Sequence, residues 1–347
     1  MDPLTQGLLG GVAAQVALGR RLPRSAWWLG ALAGMSADLD IFIRPAGDPL
    51  GGLTFHRHFT HALAFVPLGA LLSAALFLPL RTFAGHRWTV LAAALIGYAT
   101  HGLLDAATSY GTLLWWPFSS TRVAWDLIAI IDPLFTFILL AGLVVSVLLR
   151  RPRVAGVALG LALAYLGLGG VQNQRALAVQ HQLATTRGHI LERGRAMPTF
   201  ANLVLWRCVY VADGRVYTDS IRVPLLGTPE VHTGTSVPLV TESALLARHG
   251  HDEVTRLAIR RFVWFADGYT AYDMRDPTIV GDMRYTLRPD DPGSMWGLWL
   301  PPDGLMSPSM VRPPGGRRDA LARLWDGIMG RDARYRSLAT VLAAGGR

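Results

Sequence analysis

Long apolar runs fill the first half of the chain, and alternating or mixed patterns fill the second. Six apolar segments can be drawn, over residues 4–19, 26–43, 62–80, 88–107, 127–149 and 154–171. A membrane-crossing helix needs about 20 such residues, with a range of roughly 17–25. The third to sixth segments fit that length comfortably. The first is short and rich in glycine and alanine, and the second carries Asp38 and Asp40. Either suits a partial or tilted insertion as well as a full crossing. Residues 173–193 keep helical spacing through Leu177, His181, Leu183 and Ile190, and predict a linker helix leaving the membrane. Residues 202–211 and 215–225 alternate like strands around Ala212-Asp213-Gly214-Arg215, a hairpin signal. Residues 256–266 and 269–274 repeat that design around Ala266-Asp267-Gly268. Further strands are expected over 279–287 and 295–300, and one or two helices over 317–343. The expected fold is an α-helical polytopic membrane domain over residues 1–171, followed by an extracytoplasmic α+β domain over 172–347 built on a small antiparallel sheet.

Composition agrees with that division. Of the 347 residues, 51% are hydrophobic and 16% charged, against about a quarter charged in soluble domains. The net charge of +9 is carried by arginine alone, because the chain has no lysine. A P-loop lysine, a Schiff base and a Ser-Lys dyad are therefore excluded. The surplus arginines flank apolar segments and decorate the second half, and no nucleic-acid motif accompanies them, so nucleic acid is not an expected partner. The single cysteine, Cys208, lies in a strand-like run and suits a core position. It permits no internal disulfide and no multi-cysteine zinc site. Met1-Asp2-Pro3-Leu4-Thr5-Gln6 offers no positive charge ahead of the first apolar stretch, so that stretch is expected to remain in the mature protein.

Arginine placement sets an expected orientation. Arg20, Arg21, Arg24, Arg81, Arg87, Arg150, Arg151 and Arg153 lie in one set of loops, and only Arg44, Arg57 and Arg122 in the alternate set. The positive-inside rule puts the richer set in the cytoplasm. The alternate loops and the second half of the chain then face outward.

The polar residues inside the apolar runs carry the candidate chemistry. Ionisable groups at membrane depth are costly and usually mark function. Three clusters occur: Asp38-Leu39-Asp40, His56-Arg57-His58-Phe59-Thr60-His61, and His101 with Asp105. All fall near the outward ends of their segments, as do Gln6, Asp126 and Asp132. His101 and Asp105 are four apart and share a helix face. Such a pair can bind one metal, orient one ligand from behind, or simply pack two helices. Asp38 and Asp40 diverge by about 200° on a regular helix and converge only if the helix breaks, as Pro45 and Gly47 allow. Paired carboxylates bridge two metals or position one. Arg57 offers a fork to a phosphate or carboxylate, and Thr60 a cap or a hydrogen bond to a ligand. Trp115-Trp116-Pro117-Phe118 reads as an interfacial aromatic belt. No His-Glu-x-x-His is present.

An opening Met-Asp-Pro-Leu-Thr, then Asp38-Leu39-Asp40, His56-Arg57-His58-Phe59-Thr60-His61, His101 to Asp105, Thr108-Ser109-Tyr110-Gly111, Trp116-Pro117-Phe118, Trp125-Asp126 and Ile131-Asp132-Pro133 occur in that order. The series resembles the YdjM/DUF457 family of inner-membrane, metal-dependent hydrolases over about residues 1–150. The resemblance implies histidine where this chain has Gln6, and proline where it has Ser36-Ala37. The first change puts an N-terminal ligand in doubt. A more distant similarity to zinc phospholipase C and P1 nuclease rests on the His-x-x-x-Asp pattern.

Residues and resemblance together lead to one expectation. Asp38, Asp40, His56, His61, His101 and Asp105 are the expected metal ligands or close partners, with Arg57, Thr60 and Asp126 as catalytic candidates. Imidazole and oxygen ligands without thiolates suit zinc, with manganese or iron as alternatives. The expected reaction is metal-dependent hydrolysis at the outer face of a bacterial inner membrane. Membrane lipids are the expected surroundings and a phosphoester or lipid-like compound the expected substrate, with an amide still open. The alternative is a non-enzymatic membrane protein that senses or binds a divalent metal, or anchors its second half to a partner.

Overall fold

The computed structural model describes residues 1–22, 25–46, 48–286, 288–301, 306–312 and 317–345. Arg24 of the arginine comparison and Gly47 of the expected helix break lie outside the described residues. The chain forms two compact units, Met1–Ile43 with Phe55–Gly170, and Arg44–Thr54 with Val171–Arg347.

The first unit is helical. In chain order the helices are α1 (Pro3–Leu18), α2 (Ala26–Met35), α3 (Gly51–Phe55), α4 (Val66–Ala75), α5 (Arg87–Ala107), α6 (Pro133–Leu148) and α7 (Pro152–Thr186), with α3 beginning in the excursion 44–54 and α7 running on past Gly170. Among the described residues, α5 and α7 are long and apolar enough to cross a membrane. Gly51–His61 and Leu63–Ala75 would make a third span only across a 62° bend. The sequence segment 62–80 is thus not one straight span. His61 and Ala62 interrupt it at one end, and at the other α4 stops four residues before Pro79, which cannot continue a helix. The fifth segment also shortens. Helix α6 starts only at Pro133, where Asp132 caps it by accepting from the N–H groups of Leu134 and Phe135. Large apolar side chains such as Leu72, Phe137, Leu148, Val157 and Leu161 remain exposed on these helices.

Close backbone packing seats the polar face of α5. A Cβ on Gly97 of α5 would lie 2.1 Å from the Gly30 carbonyl oxygen of α2, and one on Gly10 of α1 would lie 2.6 Å from the same atom. Three helices therefore meet backbone to backbone, the small-residue packing usual in membranes.

The second unit contains β1 (Arg193–Pro198), β2 (Leu205–Ala212), β3 (Arg215–Arg222), β4 (Glu230–His232), β5 (Ser236–Pro238), α8 (Glu242–His249), α9 (Glu253–Phe265), β6 (Thr270–Tyr272), β7 (Ile279–Asp282), β8 (Gly297–Trp299), β9 (Ser309–Val311), α10 (Arg317–Met329), β10 (Arg336–Ser337) and α11 (Leu338–Ala343). One antiparallel sheet has the order β1-β2-β3-β4-β10, with β5 also on β3. The other runs β6-β7-β8-β9. Asp213 and Gly214 take positive φ between β2 and β3, as a tight hairpin demands. The second expected hairpin is not one. Residues 253–265 form α9, capped by Asp252, with Ala258, Ile259, Phe262 and Val263 buried at helical spacing. Asp267 and Gly268, again at positive φ, end that helix through a Gly268 N–H bond to the Val263 carbonyl. The excursion 44–54 joins this unit's core. Leu50 packs with Val240, Leu245, Ile259, Phe262 and Leu298, and Asp48 pairs with Arg261.

Candidate metal centre

Four side chains from three segments converge inside the first unit: Asp38, His61, His101 and Asp105. Each segment has a local reason for its shape. After Met35 the chain tightens into a 3-10 helix over Ser36–Phe42, which sends Asp38 and Asp40 to different sides of His61. His61 ends a short 3-10 turn, Phe59–His61, laid directly on α5. The close approach depends on Gly102, where a Cβ would stand 2.2 Å from the His61 carbonyl oxygen. His101 and Asp105 project from one face of α5, four residues apart.

The distances describe a small polyhedron. His61 Nε2 is 2.9 Å from His101 Nε2. Asp38 Oδ1 is 3.5 Å from His61 Nε2 and 3.4 Å from His101 Nε2. Asp105 Oδ2 is 3.2 Å and 3.7 Å from the same two atoms. Four ligands at bonds of about 2.0–2.2 Å would stand about 3.3–3.6 Å apart in a tetrahedron. The observed edges bracket that value.

The Nδ1 atoms of both histidines have acceptors beside them. The Nδ1 of His101 lies 2.5 Å from the Gly34 carbonyl oxygen, which can only accept. The Nδ1 of His61 lies 3.2 Å from Asp40 Oδ2 and 3.0 Å from Thr60 Oγ1. A neutral imidazole has one N–H. Were both rings neutral with Nδ1 donating, both Nε2 lone pairs would turn toward each other and toward two carboxylate oxygens. Asp105 Oδ2 is buried and receives no aligned hydrogen bond. Its other oxygen is well served, by the Met1 amino group and by Gln6 Nε2 at 2.9 Å. The residues present fit a metal ion: two imidazoles and two carboxylates whose ligand atoms lie close enough to share one.

The remaining candidates surround this core. Asp40 accepts from the Arg57 N–H and from Thr60 Oγ1, both at 2.9 Å, and lies 2.9 Å from His56 Nδ1. It stands behind His61, in the place of an outer carboxylate that fixes a ligand's tautomer. Asp38, Asp40 and His56 also form a second group close enough to share an ion. Arg57 adopts φ 62°, a left-handed conformation costing about 1–2 kcal/mol. Its buried guanidinium turns inward, with Nε 3.0 Å from Asp105 Oδ2, Nη1 donating to Thr108 Oγ1, and the Tyr110 ring 4.5 Å below. His58 packs among Phe55, Phe59 and Trp116, away from the cluster. Asp126 is buried at φ 56° and belongs to neither metal group. Asp132 is a helix cap that also accepts from the Tyr165 hydroxyl. Sequence reading missed Thr108, Gly34 and Gly102. Gly102, inside the His101–Asp105 interval, and Thr108, at the head of Thr108-Ser109-Tyr110-Gly111, left readable signs without an assigned role, and Gly34 left none.

No curated protein and no solved structure matches the chain. The family model described as YdjM inner membrane protein matches residues 1–176. That span holds every residue of the cluster, and the chain belongs to the YdjM family of inner membrane proteins.

Proposed function

We propose that the protein is a membrane-bound metal-dependent hydrolase, with a phosphoester or lipid-like compound as substrate. The observation that carries this reading is the meeting of two imidazole nitrogens and two carboxylate oxygens close enough to share one ion, with an acceptor beside each Nδ1. Asp38, His61, His101 and Asp105 would hold the metal. When bound, such a metal polarises a substrate oxygen and acidifies water.

The chain's own residues divide the supporting work. Asp40 and Thr60 hold His61 in the tautomer that turns Nε2 inward. The Gly34 carbonyl does the same for His101. Arg57, Gln6 and the Met1 amino group hold Asp105. Asp38 is the exposed member, its side chain 22% accessible while the other three are buried, so a substrate would approach on its side. Leu39, Ile41 and Phe42 lie exposed beside it, and an apolar approach suits a lipid-like molecule. Arg57, directed at Asp105 and Thr108, acts in this reading as a positioning residue. We place the site at the outer membrane face on the arginine bias of the short loops. A periplasm-dependent reporter fused at the C-terminus should be active, and activity of a cytoplasm-dependent reporter there would reverse that placement.

A non-catalytic metal site is the second reading. The burial of three of the four groups favours it, since closed four-ligand sites are the structural kind. Metal content of the purified protein, together with turnover of phospholipid and amide substrates in detergent, separates the two. Metal with turnover supports the hydrolase. Tightly held metal without turnover of any substrate supports the second reading, and no retained metal rejects both.

A further inference from the structure

The turn of α7 where the apolar span ends holds two loops of the second unit. Exposed apolar residues run along α7 as far as Val171, and Gln174 is the first exposed polar residue after it. Between them Gln172 is buried, and its Nε2 donates to the carbonyls of Leu203, at 3.1 Å, and Val223, at 2.7 Å. Asn173 Nδ2 donates to the Ala196 carbonyl at 2.7 Å. Arg175 reaches the carbonyls of Pro224, at 2.8 Å, and Gly227, at 3.3 Å. One helical turn thus fixes both the stretch after β1 and the stretch after β3.

Both stretches are built against water. Residues 198–204, Pro-Thr-Phe-Ala-Asn-Leu-Val, and 223–228, Val-Pro-Leu-Leu-Gly-Thr, contain no charged residue in a half of the chain rich in arginine and aspartate. Phe200 is 49% exposed, Leu225 57% and Leu226 92%. Single exposed apolar residues are ordinary, but a grouped set marks a contact surface. Helix position identifies the occupant. Loops tied to the residue at which a span leaves hydrocarbon lie at headgroup depth, where an uncharged apolar tip meets lipid.

We propose that Phe200, Leu225 and Leu226 insert into the bilayer interface around the emerging α7, making the two loops a lipid-docking surface of the second unit. The contact needs only the α7 span. It is independent of the metal centre and of which face of the membrane the second unit occupies.

The test is site-directed spin labelling of the full-length protein in phosphatidylglycerol/phosphatidylethanolamine vesicles. The only native cysteine, Cys208, is fully buried, so Leu226→Cys and Phe200→Cys can be labelled singly. Ile190→Cys is the reference, being 83% exposed beyond the far end of α7. Residue 186 stands about 21 Å along the helix from residue 172. Labels at 226 and 200 should be several-fold more accessible to oxygen than to a water-soluble nickel chelate, and the label at 190 the reverse. Nickel accessibility at 226 and 200 equal to that at 190 would overturn the proposal. Labels closed to both reagents would overturn it too, because that outcome means a protein partner or a second copy covers the loops.

Discussion

In the second unit, Asp219 and Asp282 each face a guanidinium fork; in the first, Asp38 and Asp105 meet the Nε2 atoms of two histidines, and Asp105 meets the Arg57 guanidinium as well. Arg187 donates to both oxygens of Asp219, at 2.7 and 2.9 Å, and the Gly234 N–H adds a third bond. Arg284 holds Asp282 in the same manner, at 2.9 and 2.8 Å, with Trp296 Nε1 beside it. These buried acids are complete within the protein. Asp132 in the helical unit is complete as well, served by two backbone N–H groups and Tyr165. The four groups Asp38, His61, His101 and Asp105 differ from Asp132 in meeting one another. At that cluster two imidazoles and two carboxylates meet close enough to share one ion, beside the Arg57 guanidinium and the Met1 amino group on Asp105.

The comparison breaks first at the ligands. His61→Ala or Asp105→Asn should abolish metal retention, a loss beyond about 100-fold, since outer-shell changes alone cost about 10–100-fold. Metal analysis after gel filtration reads this, and hydrolysis should vanish with the metal while the helices still melt cooperatively. Full metal content in either variant would remove that residue from the site. Next comes the reciprocal change. Arg284→Met should destabilise the second unit by about 3–5 kcal/mol, the usual result of stripping one partner from a buried pair, with metal content unchanged. Chemical denaturation measures it, and a neutral result would mean that Asp282 is not held by its fork. Asp40→Asn sharpens the contrast. It keeps the shape behind His61 but weakens the orienting bond, and should cost about 10–100-fold in metal affinity, measured by competition with a chelator. An unchanged affinity would reduce Asp40 to packing. Smallest is Tyr165→Phe, which removes one of Asp132's three donors and should cost about 1 kcal/mol of stability with no change in bound metal.

Much of this was legible in the sequence because the cost of polar groups in apolar runs leaves few reasons for them. Asp38, Asp40, His56, His61, His101 and Asp105 stand out on that ground, and the structure gathers Asp38, His61, His101 and Asp105 into one group and Asp40 and His56 into a second with Asp38. The direction of Arg57 was not legible. A free arginine suggests an anion outside, whereas a left-handed backbone at residue 57 turns it onto Asp105. The order of Asp38 and Asp40 around His61 was hidden for a related reason, since a 3-10 turn does not follow the helical repeat that sequence spacing assumes. The two Ala-Asp-Gly sites show the limit most plainly. Both place Asp and Gly at positive φ. One joins two strands and the other stops a helix, and only the burial spacing of the preceding residues separates them. Residues 44–54 gave no sign at all, because Leu50 finds its neighbours about 190–250 positions later.

That excursion gives the chain a timetable. Asp40 and His56 lie on either side of it in the sequence, so both are translated before the residues that anchor the stretch between them. At about 5–20 residues per second, Leu50 waits about 10–40 s for Val240 to be made, and longer for Leu298. Throughout that interval Leu50 lacks the partners it packs against in the finished fold. A nascent chain stopped near residue 176 would carry every residue of the metal cluster and still have nowhere to put Leu50.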